Sequence, residues 1–382
     1  MTADVDTIAR AEAAIDLRGS DRDIASPKVE DRRLRIGVAG CGYWGSKHVR
    51  VLNSMRDVKE VAVIDQSPRI RDAMHTAFPN APAFADLQSA LPHIDALVVA
   101  VPAQRHAEVA LEAIRNGKHV LVEKPLATSV EQADLLIREA ARANVVLMTG
   151  HTFSFNPAVR ELKRRMDRGD LGQIYYIHSA RLNLGLYRPD VNVVWDLAPH
   201  DISILNYLLQ STPTRVSAWG ASHAFGGLED LAIARLEYEE RRVTGYIHVS
   251  WLDPDKVRRV TVVGSGKMAV YNDMIEERLR IFDRGVERQR PELPLHEQPL
   301  SYRYGDIISP HIPLAEPLAV EDKHFVDCIC SGSVPEEDGW DGLSVVAVLE
   351  AIDQSLRTGQ SVRVDSEFVR PLLTTTNHPS LP

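Results

Sequence analysis

The chain has 382 residues, 44% hydrophobic and 25% charged, enough for a large core and about two domains of the usual ~100–200 residues. Its formal charge of -9 repels nucleic acid and anionic membranes, which leaves a small molecule as the expected partner. No apolar run approaches the roughly 20 residues that span a bilayer, and the acidic opening MTADVDTIARAEAAIDL lacks the basic and apolar regions of a secretory leader, so a cytoplasmic protein is expected.

Residues 1–32 read as an N-terminal extension, with weak helical periodicity over Asp6 to Leu17. From Leu34 the apolar runs LRIGVA, VAVID, DALVVAV, HVLVEK and VVLMTG alternate with helical stretches such as Gln104 to Asn116 and Val130 to Ala143. Strands buried on both faces with helical crossovers predict an α/β fold, an N-terminal Rossmann doubly wound parallel sheet over residues 33–150. Beyond Gly150 come longer strands of period two, IYYIHSARLNL, RVSAWGASH, LAIARLEY, VTGYIHVSWL and VRRVTVVG. They predict a C-terminal α+β domain on an open, mostly antiparallel sheet over residues 151–365, for substrate binding and oligomerisation. Six prolines between residues 284 and 317 predict an extended arm without regular elements. Two helical stretches follow, Val320 to Cys330 and Leu343 to Leu356, and residues 366–382 form a tail. Cys41, Cys328 and Cys330 are too few and too irregularly spaced for a disulfide framework or a zinc site.

Gly40-Cys41-Gly42-Tyr43-Trp44-Gly45 follows the first strand directly and opens a helix. In that context G-x-G-x-x-G has a mechanism: a tight turn, close approach of backbone to a pyrophosphate, close helix–strand packing, and an anion resting on a helix N-terminus. The next strand ends at Asp65, beside Gln66. A carboxylate there accepts hydrogen bonds from an adenosine ribose and repels a 2′-phosphate, which predicts NAD rather than NADP, although Arg69 lies close in sequence. Ligands of such sheets bind beyond the carboxyl ends of the strands. Val101 and Pro102 occupy one such end, with His106 a turn further on, and Glu123 and Lys124 another. A rigidly held ammonium beside the nicotinamide is one reading of Lys124; a surface lysine paired with its glutamate is the other.

At this point the chain resembles the family of glucose-fructose oxidoreductases, inositol dehydrogenases and rhizopine-catabolism oxidoreductases (Gfo/Idh/MocA). The resemblance spans about residues 33–360. It rests on the glycine turn, on Glu123-Lys124-Pro125, on Gly150-His151 with Asn156-Pro157, and on Asp196-Leu197-Ala198-Pro199-His200-Asp201. It implies a catalytic site of Lys124, Asp196 and His200.

Physically, a spacing of four puts Asp196 and His200 on one side of a helix, where a carboxylate can orient an imidazole and favour its protonated form. Such a histidine serves as general base in alcohol oxidation, with Lys124 stabilising the developing alkoxide. A helix-capping aspartate and an ordinary half-buried histidine would leave the same pattern. A metal would need a third ligand, and no cluster at metal spacing supplies one. Arg181, Asn183, Tyr187, Arg188 and Asn192 offer polar and cationic groups to a polyol or a nucleotide-sugar diphosphate, and His151 completes the expected substrate set.

RLNLG, WDLAPHDIS, SYRYGDIISP and EPLAVEDKHFVDCICSG resemble the nucleotide-sugar branch of the family, which implies oxidation of a sugar 3-hydroxyl to a ketone, often feeding an aminotransferase in aminosugar, polysaccharide or ansamycin-type biosynthesis. Val193-Val194 stands where that branch typically carries a glycine pair. The first expectation is therefore an NAD-dependent dehydrogenase of UDP-glucose or UDP-N-acetylglucosamine type. An inositol-type polyol dehydrogenase and a non-catalytic NAD-dependent regulator are the alternatives. The open sheet is expected to be covered by another subunit in a homodimer or homotetramer.

Overall fold

Leu34–Ala39 forms strand β1, flanked on both sides by strands and covered on both faces by helices, which is why nearly every side chain in it is apolar. A computed structural model describes residues 33–365, apart from 186, 189–190, 225, 289–293, 295 and 297–298. The extension 1–32, its periodicity over Asp6 to Leu17, and the tail 366–382 lie outside the described residues.

β1 pairs in parallel with β2 (Val58–Ile64) and β4 (Ala96–Val99), and the sheet is completed by β3 (Ala83–Phe84), β5 (His119–Glu123) and β6 (Leu147–Gly150). The order is β3-β2-β1-β4-β5-β6, all parallel. Strand order reverses between β1 and β4, so the crevice of this sheet opens at the glycine turn. The crossovers are α1 (Tyr43–Leu52), α2 (Pro68–Ala77), α3 (Leu87–Ala90), α4 (His106–Arg115) and α5 (Val130–Ala143). Ser67 and Ser129 cap α2 and α5 through their hydroxyls.

After α6 (Pro157–Asp167), the second sheet holds β7 (Ile174–Leu182), β8 (Arg215–Ala221), β9 (Leu231–Tyr238), β10 (Val243–Ser250), β11 (Val257–Gly264), β12 (Met268–Asn272), β13 (Leu279–Arg288), β14 (Leu300–Ile308) and β15 (Val362–Arg363). Its order is β14-β13-β12-β11-β7-β10-β9-β8-β15, antiparallel except for β7 against β10. One face packs against α7 (Val193–Leu209) and α9 (Gly339–Thr358). Ile202, Leu205 and Leu208 of α7 are buried there, each contributing about 1.5–3 kcal/mol.

The stretch 284–317 differs from its expectation. β13 runs on to Arg288 and β14 pairs with it as the sheet edge, because the nine residues of β14 fall between the prolines and contain none. The chain then returns to the first sheet. α8 (Pro317–Ser331) packs on α1, and α9 packs on α5 and α7. Thr149 N–H donates to the Glu337 carbonyl (2.8 Å) just before a capping box in which Asp338 and Asp341 each accept the other's main-chain N–H. Among the described residues no helix is long and apolar enough to cross a membrane.

Candidate active site

The turn after β1 needs its glycines. Gly40 has φ +83°, and a Cβ there would lie 2.7 Å from the Ala100 carbonyl oxygen; a Cβ at Gly45 would lie 2.0 Å from the Gly40 oxygen. Gly42, by contrast, faces open space, with nothing within 4 Å of an added Cβ, and no side chain caps the N-terminus of α1. That leaves room and main-chain donors for a pyrophosphate. Asp65 ties the turn down: Oδ2 accepts from Cys41 N–H (2.9 Å) and Oδ1 from Ser67 N–H (2.9 Å). Each oxygen keeps a lone pair for a ribose hydroxyl. A cavity of about 360 Å³ opens beside it, lined by Gly40, Asp65, Gln66, Val101, Pro102 and Arg105 among others. These residues fit a nicotinamide dinucleotide. Arg71 also binds this corner, its guanidinium donating to the Asp65 carbonyl (2.7 Å). Tyr43 and Trp44 are exposed at the helix start, with Lys47 Nζ 4.1 Å and 4.7 Å from their ring centroids.

At the end of β5, Lys124 Nζ donates to the main-chain carbonyl of Asp196 (2.9 Å), and the Lys124–Pro125 peptide is cis. Burial lowers the lysine's pKa, and Arg181 and Arg188 add to this, while Asp196 and Glu123 oppose it. Glu123 does not turn to the cavity. Its carboxylate meets His48 Nε2 (3.1 Å) and accepts the Lys124 N–H (3.1 Å). His106, expected at the cofactor, is instead a brace. Its Nδ1 lies 2.7 Å from the Pro125 carbonyl and its Nε2 2.8 Å from that of Val101, so both ring nitrogens face main-chain oxygens and the ring N–H donates to one of the two strand ends. Burial keeps it below the ordinary histidine pKa despite those carbonyls.

α7 starts three residues before Asp196, capped by Asn192, whose Oδ1 accepts from Trp195 N–H (3.2 Å). Val193 and Val194 are buried in its first turn. Asp196 and His200 follow on that helix, so Lys124, Asp196 and His200 are brought together. The expected carboxylate–imidazole pair between the last two is absent. Asp196 Oδ2 accepts from Trp251 Nε1 (3.1 Å), and Oδ1 lies 3.7 Å from Arg188. A buried indole N–H requires an acceptor, and Asp196 supplies it. His200 instead rests edge-on against Phe153, 5.0 Å between centroids, with Nδ1 buried and without a protein partner. Nor is the imidazolium favoured. Burial first, then the charges of Lys124, Arg181, Arg258 and His151, hold its pKa well below the ordinary histidine value. The imidazole with a carboxylate behind it is His151, whose Nδ1 lies 2.7 Å from Glu337 Oε2.

Arg181, expected as a substrate cation, is buried and spent on Asp201, with Nε 2.8 Å from Oδ2. Asn183 extends the main chain beyond β7, its N–H on the Ser250 carbonyl (3.2 Å). The Tyr187 hydroxyl donates to Asp230 (3.3 Å) while its ring leans on Trp251. Sequence reading missed Trp251, Glu337, Phe153 and Arg258. The last of these sits opposite Arg181 in the β11–β7 register. Only the alternation of Arg258 and Arg259 along β11, which sends one of them to the covered face, signalled it.

A six-stranded Rossmann sheet with its glycine turn and a lysine at the end of β5, followed by a large mostly antiparallel sheet whose packed helix α7 carries an aspartate and a histidine, defines an NAD-dependent oxidoreductase acting on CH–OH groups. Residues 34–151 match the oxidoreductase family with an NAD-binding Rossmann fold, and residues 159–270 match the Gfo/Idh/MocA C-terminal domain. The chain belongs to the Gfo/Idh/MocA family. It is 26% identical over 354 residues to an inositol 2-dehydrogenase of Rhodococcus erythropolis, covering 88% of this chain and 96% of that one. It is 28% identical over 256 residues to a UDP-N-acetylglucosamine 3-dehydrogenase of Acidithiobacillus ferrooxidans, covering 66% and 78%. Its fold matches the crystal structure of the WlbA dehydrogenase from Bordetella pertussis in complex with NADH and UDP-GlcNAcA, with TM-score 0.71 and 23% identity over 87% of this chain and 99% of that one.

Proposed function

We propose that the chain oxidises the 3-hydroxyl of a nucleotide sugar of UDP-glucose or UDP-N-acetylglucosamine type to the 3-ketone, with residues 33–150 binding NAD, 151–365 the sugar, and Lys124, Asp196 and His200 acting on it. The observation that carries this reading is the Lys124–Asp196 contact, which joins the ammonium to α7, where His200, one turn along, has a buried Nδ1 without a protein partner. NAD, when bound, supplies the hydride acceptor. His200, neutral across the physiological range, takes the hydroxyl proton, and Lys124 steadies the oxygen as its charge grows. Asp196 acts on Lys124 rather than on His200: its carbonyl aims the ammonium and its carboxylate balances the charge.

Positive charge supports an anionic substrate. Lys47 lies over the Tyr43 ring, the charges of Lys256 and Arg258 act on Tyr43 as well, and that of Arg258 also acts on His200. A diphosphate among these cations raises the proton affinity of His200, so the correct substrate sharpens its own base. One observation favours a free polyol instead, since Arg181 is committed to Asp201 and the inositol dehydrogenase relative is matched along nearly its whole length. NADH formation with UDP-glucose, UDP-N-acetylglucosamine and myo-inositol, with and without a partner aminotransferase, decides between them. Lys124→Met and His200→Ala are expected to lower turnover by roughly 10²–10⁴-fold while NAD still binds; near-normal turnover in either variant refutes its role.

A further inference from the structure

Behind the proposed site lies a buried ionic cluster that the reaction leaves unused. His48 of α1 is 0% exposed and has a carboxylate on each ring nitrogen: Nδ1 is 2.8 Å from Asp322 Oδ1 on α8, and Nε2 is 3.1 Å from Glu123 Oε1. A neutral tautomer would set a lone pair against one of those carboxylates, so the geometry requires an imidazolium. Glu123 Oε2 accepts the main-chain N–H of Lys124 (3.1 Å), which makes the ring and the site lysine neighbours through a single side chain. Next to Asp322, the buried Glu321 accepts from Thr152 Oγ1 (3.0 Å), while Glu321 Oε1 and Asp322 Oδ2 are buried without protein partners.

We propose that His48 is a positioning residue for Lys124: pinned between Asp322 and Glu123, it ties the helix behind the phosphate turn to the strand end that presents the lysine, and it keeps Glu123 ionised beside that ammonium. The inference rests on the reading of Lys124 as the site's ammonium. Burial works against the charge on Lys124, and Asp196 and Glu123 are the two anions that sustain it against Arg181 and Arg188. Burial and the nearby Glu123 charge push the Glu321 carboxyl well above its ordinary range, which disfavours a third anion there. Glu123 also faces His106 from α4, and Asp322 faces Glu316 ahead of α8. Without the imidazolium, burial would act on Glu123 without the His48 hydrogen bond and charge that hold its carboxyl low, so its proton affinity would rise, as would that of Asp322, which burial already pushes up. Lys124 would then lose part of its anionic support, with Asp196 left as the larger share.

The test is competitive acylation of the full chain with acetic anhydride across pH, read at Lys124 by peptide mass spectrometry, with thermal melts in parallel. In His48→Gln the Lys124 midpoint is expected to fall by about one pH unit. In Asp322→Asn, which leaves the imidazolium to Glu123 alone, the midpoint should stay or rise. General loosening of the fold would move both variants the same way. A folded His48→Gln with an unmoved midpoint overturns the proposal, and so does a fall in Asp322→Asn, which decides the matter if His48→Gln does not fold. Labelling needs neither NAD nor turnover, so the dehydrogenase reading and this one fail separately.

Discussion

Asp65 does two jobs with one carboxylate, since it holds the glycine turn through Cys41 N–H and borders the cavity. Asp65→Asn keeps an acceptor for the turn and removes the charge that repels a 2′-phosphate. Coulomb energies of about 1–4 kcal/mol at 4 Å separation imply that its NAD-over-NADP preference, measured as a ratio of kcat/KM, narrows roughly tenfold or more. Glu321 gives a stability prediction whose sign is fixed by its raised pKa. The folded chain holds a proton that the unfolded chain releases above the ordinary carboxyl value of 4.5, so this residue's contribution falls as pH rises from there. Glu321→Gln keeps an acceptor for Thr152 and removes the titration. Its melting temperature should exceed the parent's by a few degrees at about pH 8 and by little at about pH 5. His48 runs the same way by the opposite chemistry. Its raised pKa makes its contribution complete below 6.5 and lost only as pH climbs through the folded value.

Among the elements, the glycine turn is the least forgiving. Gly45→Ala forces a methyl against the Gly40 carbonyl, a backbone atom that cannot step aside. Overpacking of that kind costs about 1–3 kcal/mol, so the expected result in denaturant melts and NAD titrations is a weakened fold with cofactor affinity largely lost. This turn, the parallel strands and α5 were legible because each follows from local pattern: glycine spacing, apolar runs and helical spacing of apolar residues. The β13–β14 hairpin was not, because prolines on either side of β14 obscured a proline-free strand between them. The site was legible as positions and not as pairings. Lys124, Asp196 and His200 can be picked out along the chain, but whether Asp196 meets His200 or Trp251 depends on the residue just after β10, in a distant segment with no local mark of its partner. His106 misled for the same reason: two carbonyls from separate loops claim its ring.

At the scale of the molecule, no described residue covers one face of the second sheet. Tyr176, Tyr246, Ile233 and Trp219 lie on four adjacent strands and are 41%, 38%, 43% and 59% exposed. A second copy of the chain is the proposed cover, giving a homodimer or a homotetramer. Trp219→Glu combined with Ile233→Lys is expected to yield a smaller species in sedimentation, and an unchanged mass in the double variant would remove this face from the interface.

The placement of α8 and α9 also bears on synthesis. The dinucleotide half is encoded first, yet the helix that covers α1 and the helix that braces α5 and β6 are encoded last. While the ribosome makes the second sheet, the nascent first sheet therefore waits with His48 lacking its Asp322 and Thr149 lacking its Glu337. A chain stopped short of residue 358 leaves both halves without their closing helices.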